Sequence, residues 1–254
     1  MPLVWGPWSA RRFRLDRMSL GDLVRAYFTY YAIQIYLLLA VIAVLLAIAW
    51  AESATGPLLA AALMALLYPL VEYCVHRYVL HSRLLYKSPY TAKLWKRIHY
   101  DHHQNPHDLA VLFGALYTTL PVIAIVTLPL GWLVAGKAGA AAAFAAGCVI
   151  FCFYEFVHCV EHLPFKPKSR WLREVKRRHL AHHFHNEQGN YGITSNLWDQ
   201  VFHTFYDRPS EWPKSPTAFN LGYAGEDRER YPWVARMSAA DEELAEARRR
   251  RASA

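Results

Sequence analysis

Long apolar stretches alternate with polar, basic segments along this chain of 254 residues. Four intervals contain no Asp, Glu, Lys or Arg: 26 residues after Arg25, 19 after Glu52, 28 after Asp108 and 17 after Lys137. A helix that crosses the ~30 Å hydrocarbon core of a bilayer needs about 20 apolar residues. The pattern therefore predicts four spans and excludes an ordinary soluble domain. We place these spans at about 27–50, 57–75, 109–131 and 138–157.

The basic residues predict how these spans are oriented. The connector 51–57 has no Lys or Arg, and the connector 131–137 has only Lys137. By contrast, residues 1–25 contain five Arg, and residues 76–108 and 158–254 contain many Lys and Arg. An excess of Lys and Arg is typical of cytoplasmic loops. We therefore expect two helical hairpins that are joined on the cytoplasmic side, with both termini in the cytoplasm.

Composition changes this picture little. The net charge is +8, which in a soluble protein could indicate nucleic acid binding. Here the Lys and Arg residues flank apolar stretches, a pattern typical of membrane topology and of contact with anionic lipid headgroups. We expect no nucleic acid partner. The four cysteines form no Cys-x-x-Cys pair and lie in or beside apolar segments, so we expect them to be buried, small apolar side chains.

Ten of the 13 histidines lie in two windows that share one plan. Each window follows a predicted hairpin and contains a spaced His pair, then a His-x-x-His-His triplet. The first window contains His76, His81, His99, His102 and His103; the second contains His158, His162, His179, His182 and His183. Because each hairpin returns the chain to its starting side, all four clusters should meet at one face of the membrane.

Helical spacing predicts convergence within each cluster. Residues i, i+3 and i+4 share a helix face, so we expect each triplet, and the pair His158 and His162, to point together. His76 and His81 are five residues apart, which is about 140° on a straight helix. Their convergence requires a helix end or a π-bulge near residues 78–80.

Ten convergent imidazoles exceed the needs of one metal ion, since a zinc ion takes four ligands. They suit two ions with four to six ligands each. Imidazole binds Fe, Zn, Cu and Ni, so the ligands alone do not identify the metal. His107, His185 and His203 lie outside the pattern, and we expect them to have supporting or surface roles.

Several carboxylates are candidates for holding the N–H group of a metal-binding imidazole, which is a common arrangement around metals. Glu72 and Glu155 lie four and three residues before a His pair, where an unpaired charge beside the membrane is expensive. An interfacial charge or direct metal binding is the alternative for both. Asp101, Asp199 and Glu161 are weaker candidates for the same role.

The order HRYVLH, HYDHH, HCVEH, HLAHH resembles the fatty acid hydroxylase and sterol desaturase superfamily of membrane di-metal oxygenases. The segments GITS (192–195) and WDQVF (198–202) are similar to the C-terminal part of fatty acid 2-hydroxylases. The resemblance covers roughly residues 60–206. It implies an all-α membrane protein of four helices, whose cytoplasmic helical cap holds two iron ions on the ten histidines, with no catalytic residue beyond them. Zinc can replace iron in isolated members.

The resemblance also implies a function, namely O2-dependent hydroxylation of a lipid C–H bond, with carbon 2 of a fatty acyl chain as the first choice. The substrate would enter from the bilayer, with Tyr154 and Tyr191 as candidate walls of its cavity. The chain shows no cytochrome b5-like domain and no flavin fingerprint, so a separate electron donor, a ferredoxin or a cytochrome b5-like protein, is expected.

Other functions remain open. A carotenoid ring hydroxylase or a sterol C-4 methyl oxidase or desaturase uses similar histidine boxes. A metal transporter or sensor is the non-enzyme alternative, although transporters usually place ionisable groups in mid-membrane. With these expectations the chain divides into a basic interfacial segment (1–26), a membrane di-metal hydroxylase domain (27–206) and a polar tail (207–254), whose end we expect to be a solvated surface helix.

Overall fold

The structure is a computed structural model that describes residues 13–252, without the side chains of residues 244, 245 and 247–252. All regular elements in this range are helices. The α-helices are α1 (Leu20–Thr29), α2 (Tyr31–Trp50), α3 (Thr55–Cys74), α4 (Pro89–Trp95), α5 (Asp101–Gln104), α6 (Leu109–Leu112), α7 (Leu116–Glu161), α8 (Arg170–Phe184), α9 (Leu197–Val201), α10 (Glu226–Arg230) and α11 (Trp233–Ala252). Trp5 and Trp8 of the predicted interfacial segment lie outside the described residues.

Three helical segments of the described chain are long and apolar enough to cross a membrane: Tyr31–Trp50, Thr55–Lys87 and Leu109–Glu161. Their mean hydropathies are 2.8, 2.0 and 2.2. Many of their large apolar side chains, such as Leu45, Ile48 and Leu66, are more than half exposed. In lipid such side chains need no protein cover, which explains why these helices are apolar on all sides.

The third segment contains a turn. Ala135 and Gly136 leave the helical conformation, and Gly136 has a φ of 54°, which a residue without a Cβ atom adopts readily. The two halves of α7 then pack closely: a Cβ atom on Gly131 would collide with the backbone of Gly139. Gly147 lies against Thr127 in the same way. The halves of α7 therefore run back along each other.

The first predicted span began too early. The structure breaks the helix at Tyr30, whose ψ of 125° is extended. Tyr30 stacks on Phe113 with ring centroids 4.5 Å apart, and the hydroxyl of Tyr27 donates to the carbonyl of Cys152. The preceding helix α1 starts at Ser19, which forms a capping box with Asp22. Tertiary contacts of the tyrosines thus separate α1 from α2 within a continuous apolar stretch.

Small residues allow the membrane helices to approach each other. Ala47 of α2 packs against Ala141 and Ala142 of α7, and Ala60 of α3 packs against Ala143. Such residues favour close helix packing where the hydrophobic effect between helices is weak. Three of the four cysteines are buried among these helices, Cys74 is half-buried, and all four are free. This agrees with their expected role as small apolar side chains.

The C-terminal region does not lie free in solvent. Leu221, Tyr223 and Val234 form an apolar core with Tyr86 and Trp95. The indole N–H groups of Trp95 and Trp233 donate to the carbonyls of Leu80 and Tyr86, respectively. The first turn of α11 is therefore docked, whereas the expectation of a solvated surface helix concerned only the end of the tail. Apolar residues that are sparse in the sequence of the tail meet partners from residues 85–95.

Candidate metal centre

A π-helix positions the first two histidines of the site. It covers Val75–Leu80 at the end of α3, and the backbone N–H of His81 donates to the carbonyl of His76 over 3.0 Å. This i to i+5 bond adds one residue to the turn. It brings the two imidazoles to the same side, with Nε2 atoms 3.2 Å apart. The five-residue spacing left open a helix end or a π-bulge, and the structure has the π-bulge.

The remaining histidines belong to four helical segments. His99 belongs to a second π-helix, Lys96–Tyr100, and His102 and His103 belong to α5. His158 lies in the last turns of α7 and His162 caps that helix. His179, His182 and His183 lie on α8. All ten are in the part of the chain that the structure describes, and every one except the half-buried His81 is buried.

The structure brings the ten imidazoles together in two groups of five. Group A contains His76, His81, His99, His103 and His182; group B contains His102, His158, His162, His179 and His183. Each group takes four residues from one window and the middle histidine of the triplet from the other. The expectation that each triplet converges as a unit is thus wrong. The rings of His103 and His183 are 4.2 Å apart, so the groups adjoin.

The distances within each group match those between metal ligands. In group A the Nε2 atom of His99 lies 2.9 Å from that of His81 and 3.1 Å from that of His103. In group B the corresponding distance between His162 and His179 is 2.9 Å. Two nitrogen atoms bound at 2.1 Å and at right angles to each other would be about 3.0 Å apart. Five ligands with this separation suit a coordination number above four.

Hydrogen bonds to the other ring nitrogens identify the tautomers in group A. The Nδ1 atoms of His76, His103 and His182 lie 2.5, 2.8 and 2.8 Å from the carbonyl oxygens of Tyr191, Ala218 and Gly189. A carbonyl oxygen only accepts, so these Nδ1 atoms carry the proton and each Nε2 atom presents a lone pair. Three lone pairs that point to one place repel each other unless a cation lies between them. This is the property of group A that favours a metal ion most strongly.

The electrostatic state of the imidazoles also suits metal binding. Burial lowers the pKa of the His103 imidazole to about 3. Burial and neighbouring imidazoles lower the pKa values of His179 and His183 well below their usual range. These side chains are therefore neutral near pH 7, and the neutral imidazole is the form that binds metals.

Glu72 and Asp199 accept hydrogen bonds from backbone N–H groups rather than from an imidazole. Glu72 accepts hydrogen bonds from the N–H groups of Ile193 and Thr194, at 2.6 and 2.9 Å, and from the Thr194 hydroxyl at 2.5 Å. Asp199 accepts from the N–H groups of residues 191 and 192, both at 2.8 Å. The two carboxylates hold the loop whose residue 191 carbonyl accepts from His76. We expected these carboxylates to accept a hydrogen bond from an imidazole directly. Instead they act on His76 indirectly, through the loop.

Glu155 and Asp101 also have other partners. Glu155 accepts a hydrogen bond of 3.4 Å from the N–H of Gly114, and Asp101 forms a 2.9 Å ion pair with Lys96. Neither is within hydrogen-bond distance of an imidazole among the residues that the structure describes. Glu155 bonds to the backbone instead, and Asp101 bonds to a lysine. Side-chain direction, which sequence distance does not specify, decides their partners.

Of the three histidines outside the pattern, one lies beside the site. The ring of His107 is 5.8 Å from that of His162 and stacks on Phe184. His185 forms a hydrogen bond of 2.8 Å with the carbonyl of Trp212, and His203 is exposed. These placements fit the supporting and surface roles expected of them.

An apolar cavity of about 160 Å³ leads from the imidazoles into the membrane region. Its polar end contains His76, His99 and His158, and its walls descend between α3 and both halves of α7 to Met64 and Gly147. Over this distance α7 runs about 16 Å at 1.5 Å per residue. The cavity thus has the depth and the polarity for a linear apolar molecule.

Of the two tyrosines that we expected to line the cavity, one does and the other does not. Tyr154 lines the cavity. Tyr191 does not, and instead packs its ring against the imidazoles of His81 and His182, with centroids 5.1 and 5.6 Å away. Tyr191 therefore packs against group A without lining the cavity.

The sequence model of the fatty acid hydroxylase family matches residues 61–204, more than half of the chain. The chain belongs to this family. The match contains all ten histidines, the cavity and the loop held by Glu72 and Asp199.

The chain is similar to curated fatty acid hydroxylases. It is 32% identical over 143 residues to the fatty acid 2-hydroxylase of Rattus norvegicus, covering 55% of this chain and 37% of the relative. It is 34% identical over 144 residues to the dihydroceramide fatty acyl 2-hydroxylase FAH2 of Arabidopsis thaliana, covering 55% of this chain and 57% of the relative. The chain therefore spans only part of the length of these relatives.

A solved structure shows the same fold. The hydroxylase domain visible in full-length scs7p matches this chain with a TM-score of 0.58 and 23% sequence identity. The match covers 79% of this chain and 71% of that chain. At this identity the likeness concerns the arrangement of the helices.

Sequence reasoning missed the backbone carbonyls that orient the group A imidazoles. Those of Gly189 and Ala218 come from a loop and from the C-terminal region. Every residue has a carbonyl, so no sequence signal marks the ones that serve this purpose. The sequence also ranked Glu161 below Glu72, whereas Glu161 is the carboxylate that lies 3.9 Å from an imidazole nitrogen, Nδ1 of His179.

Proposed function

We propose that this protein is a membrane-bound, O2-dependent di-iron hydroxylase that acts on a fatty acyl chain, with carbon 2 as its target. The single observation that carries the proposal is the position of two groups of five imidazoles at the polar end of an apolar cavity. Such a cavity suits an acyl chain with its head near the histidines. The hydroxylases among the relatives, which are named for fatty acyl substrates, support this substrate class.

We propose four membrane crossings, in which each half of α7 crosses once. The turn at Ala135 and Gly136 and the close packing of Gly131 on Gly139 support this topology. Four crossings return the chain to one side, where the histidine groups lie with residues 76–108 and the C-terminal region. The Lys and Arg residues of these segments favour the cytoplasmic side.

Group A and group B would each hold one iron ion, and the pair would supply O2 activation. The family supports iron, while the ligand type alone also permits zinc. The chain's own contribution is to hold ten neutral imidazoles in place, keep the acyl chain in a dry cavity and limit its depth. One oxygen atom enters a C–H bond, and the other leaves as water with two electrons and two protons. A separate redox protein would supply those electrons.

The depth of the site supports attack near the carbonyl carbon. His76 and His81 follow directly after α3, and His158 and His162 complete α7, so these pairs lie where the two helices leave the hydrocarbon. A lipid whose polar head remains at the surface then places its first carbons beside the imidazoles. Its distal carbons extend towards Met64 and Gly147.

The test is lipid mass spectrometry of cells that express the protein, with Val126→Trp and Val149→Trp variants. Val126 lines the cavity, whereas Val149 lies on the outer surface of α7 with 51% exposure. We expect the wild type and Val149→Trp to produce acyl chains hydroxylated at carbon 2. Val126→Trp should lose at least 10-fold in product, because the indole fills the path of the chain. Hydroxyl groups found only on rings, on sterols or in mid-chain would contradict the proposed substrate.

A further inference from the structure

Glu161 has no partner that explains its position. It is the last residue of α7 and is fully buried, with 0% exposure. Neither of its carboxylate oxygens has a hydrogen-bond partner among the residues that the structure describes. Burial of a carboxylate is unfavourable unless a donor or a positive charge faces it. Such a residue points to a group that it serves.

The nearest donor position is on a group B imidazole. Oε2 of Glu161 lies 3.9 Å from Nδ1 of His179, whose ring is also buried. The Nδ1 atom of His179 likewise has no hydrogen-bond partner in the described part of the chain. It is the one His–carboxylate pair within 4.0 Å among the described residues. Two buried and unsatisfied atoms therefore face each other across a gap slightly too long for a hydrogen bond.

The two groups differ in how their imidazoles are held. In group A, three Nδ1 atoms donate to backbone carbonyls. In group B the Nδ1 atoms of His102, His162, His179 and His183 have no hydrogen-bond partner among the described residues. Group B thus lacks the backbone support that orients group A, and Glu161 is the side chain placed to supply it.

We propose that Glu161 is the positioning residue of group B, where its carboxylate accepts a hydrogen bond from Nδ1–H of His179. This bond would hold the tautomer that directs Nε2 of His179 into the group. Closing the gap to the usual length of about 2.7–2.9 Å requires a shift of about 1 Å. The inference rests on the proposed metal sites.

Lys176 lies beside Glu161 without occupying its oxygens. Its Nζ atom donates to the carbonyls of Val160 and Leu163, on either side of Glu161 in the chain. The oxygens of Glu161 therefore stay free for the imidazole.

The consequence is that the two metal sites are not equivalent. A carboxylate that accepts the N–H of an imidazole raises the basicity of that ligand more than a neutral carbonyl does. Group B should therefore bind its ion through one ligand with stronger electron donation. The two sites would therefore differ in ligand basicity, although each has five imidazoles.

The test compares wild type, Glu161→Gln and Glu161→Leu after purification with iron and dialysis against a chelator. We expect the wild type to keep two ions per chain and Glu161→Leu to keep one. Glu161→Gln, which retains an uncharged acceptor, should lose one ion at least 10-fold faster than the wild type, within the range typical of such supporting residues. In Mössbauer spectra of iron-loaded Glu161→Gln, one of two iron signals should change and the other should remain.

Glu187→Gln is the matched control. Glu187 is 4% exposed, and one of its oxygens lacks a partner, but the other accepts from the Thr217 hydroxyl and not from an imidazole. Its substitution should leave metal retention and both iron signals unchanged. Unaltered retention and spectra in Glu161→Gln, or equal loss of both ions, would overturn the inference. A wild type that binds no iron pair would instead contradict the proposed function.

Discussion

Adjacent histidines of one helix serve different groups because successive side chains on an α-helix point about 100° apart. On α8, His182 belongs to group A and His183 to group B. On α5, His102 belongs to group B and His103 to group A. Each triplet thereby contributes imidazoles to both groups. The geometry of both groups therefore depends on the position of the same short stretch of backbone.

This arrangement predicts different results for two double variants. In His103→Ala/His182→Ala both lost ligands belong to group A, whereas in His103→Ala/His183→Ala each group loses one. The first should keep about one metal ion per chain, because group B stays complete. The second should weaken both sites and keep clearly less than the first. Metal analysis of the purified proteins tests this, and equal metal contents would show that the groups are not separate sites.

At the same scale, the bond between Thr194 and Glu72 fastens the loop that orients His76. Thr194→Val removes the hydroxyl donor at 2.5 Å and keeps the side-chain shape. We expect the free energy of unfolding in detergent to fall by about 1–3 kcal/mol, as for other hydrogen bonds to carboxylates. Thr127→Val is the control, since its hydroxyl bonds only within its own helix and its loss should have a smaller effect. The opposite order would show that Glu72 does not anchor the loop.

At the scale of elements, the C-terminal region completes the candidate metal centre. The core of Leu221, Tyr223 and Val234 with Tyr86 and Trp95 holds this region on residues 85–95. A few residues earlier, the carbonyl of Ala218 accepts from His103. Packing of an element remote in sequence thus orients a ligand of group A.

Val234→Asp should undock the start of α11. Val234 is fully buried, and a carboxylate there has no partner in the apolar core. We expect the free energy of unfolding to fall by at least about 1.5–3 kcal/mol, the value of burying such a side chain. Metal content should fall because His103 loses its orientation. Ala239→Asp, at an exposed position of α11, is the control. If Val234→Asp keeps the stability and metal content of this control, the docking is unimportant.

At the scale of the whole molecule, the hairpins decide on which side the histidines lie. The turns at residues 51–54 and 135–136 face one side, and the histidine groups lie at the other ends of α3 and α7. The side of the two turns is poor in Lys and Arg, whereas the side of the histidine groups is rich in them. The same asymmetry predicts that the metal centre and the described C-terminal region are cytoplasmic.

A cysteine introduced at Ser53 should therefore react with an impermeant thiol reagent applied outside intact cells. A cysteine at Lys93 should react only after the membrane is opened. Both positions are exposed, and the four native cysteines are buried or half-buried, so background labelling should be low. Labelling of the Lys93 variant in intact cells would reverse the proposed orientation.

Features that depend on local sequence were predictable, because they follow from helix geometry and from the cost of charge in lipid. The uncharged intervals located the apolar helices, and the five-residue spacing of His76 and His81 predicted the π-bulge. The break at Tyr30 was not predictable, since it depends on contacts with Phe113 and Cys152. The sequence by itself determined which imidazoles gather at one end of the helices. Only the tertiary structure decided which group each one joins and which carbonyl or carboxylate faces its second nitrogen, because helix rotation and the docking of distant segments set those directions.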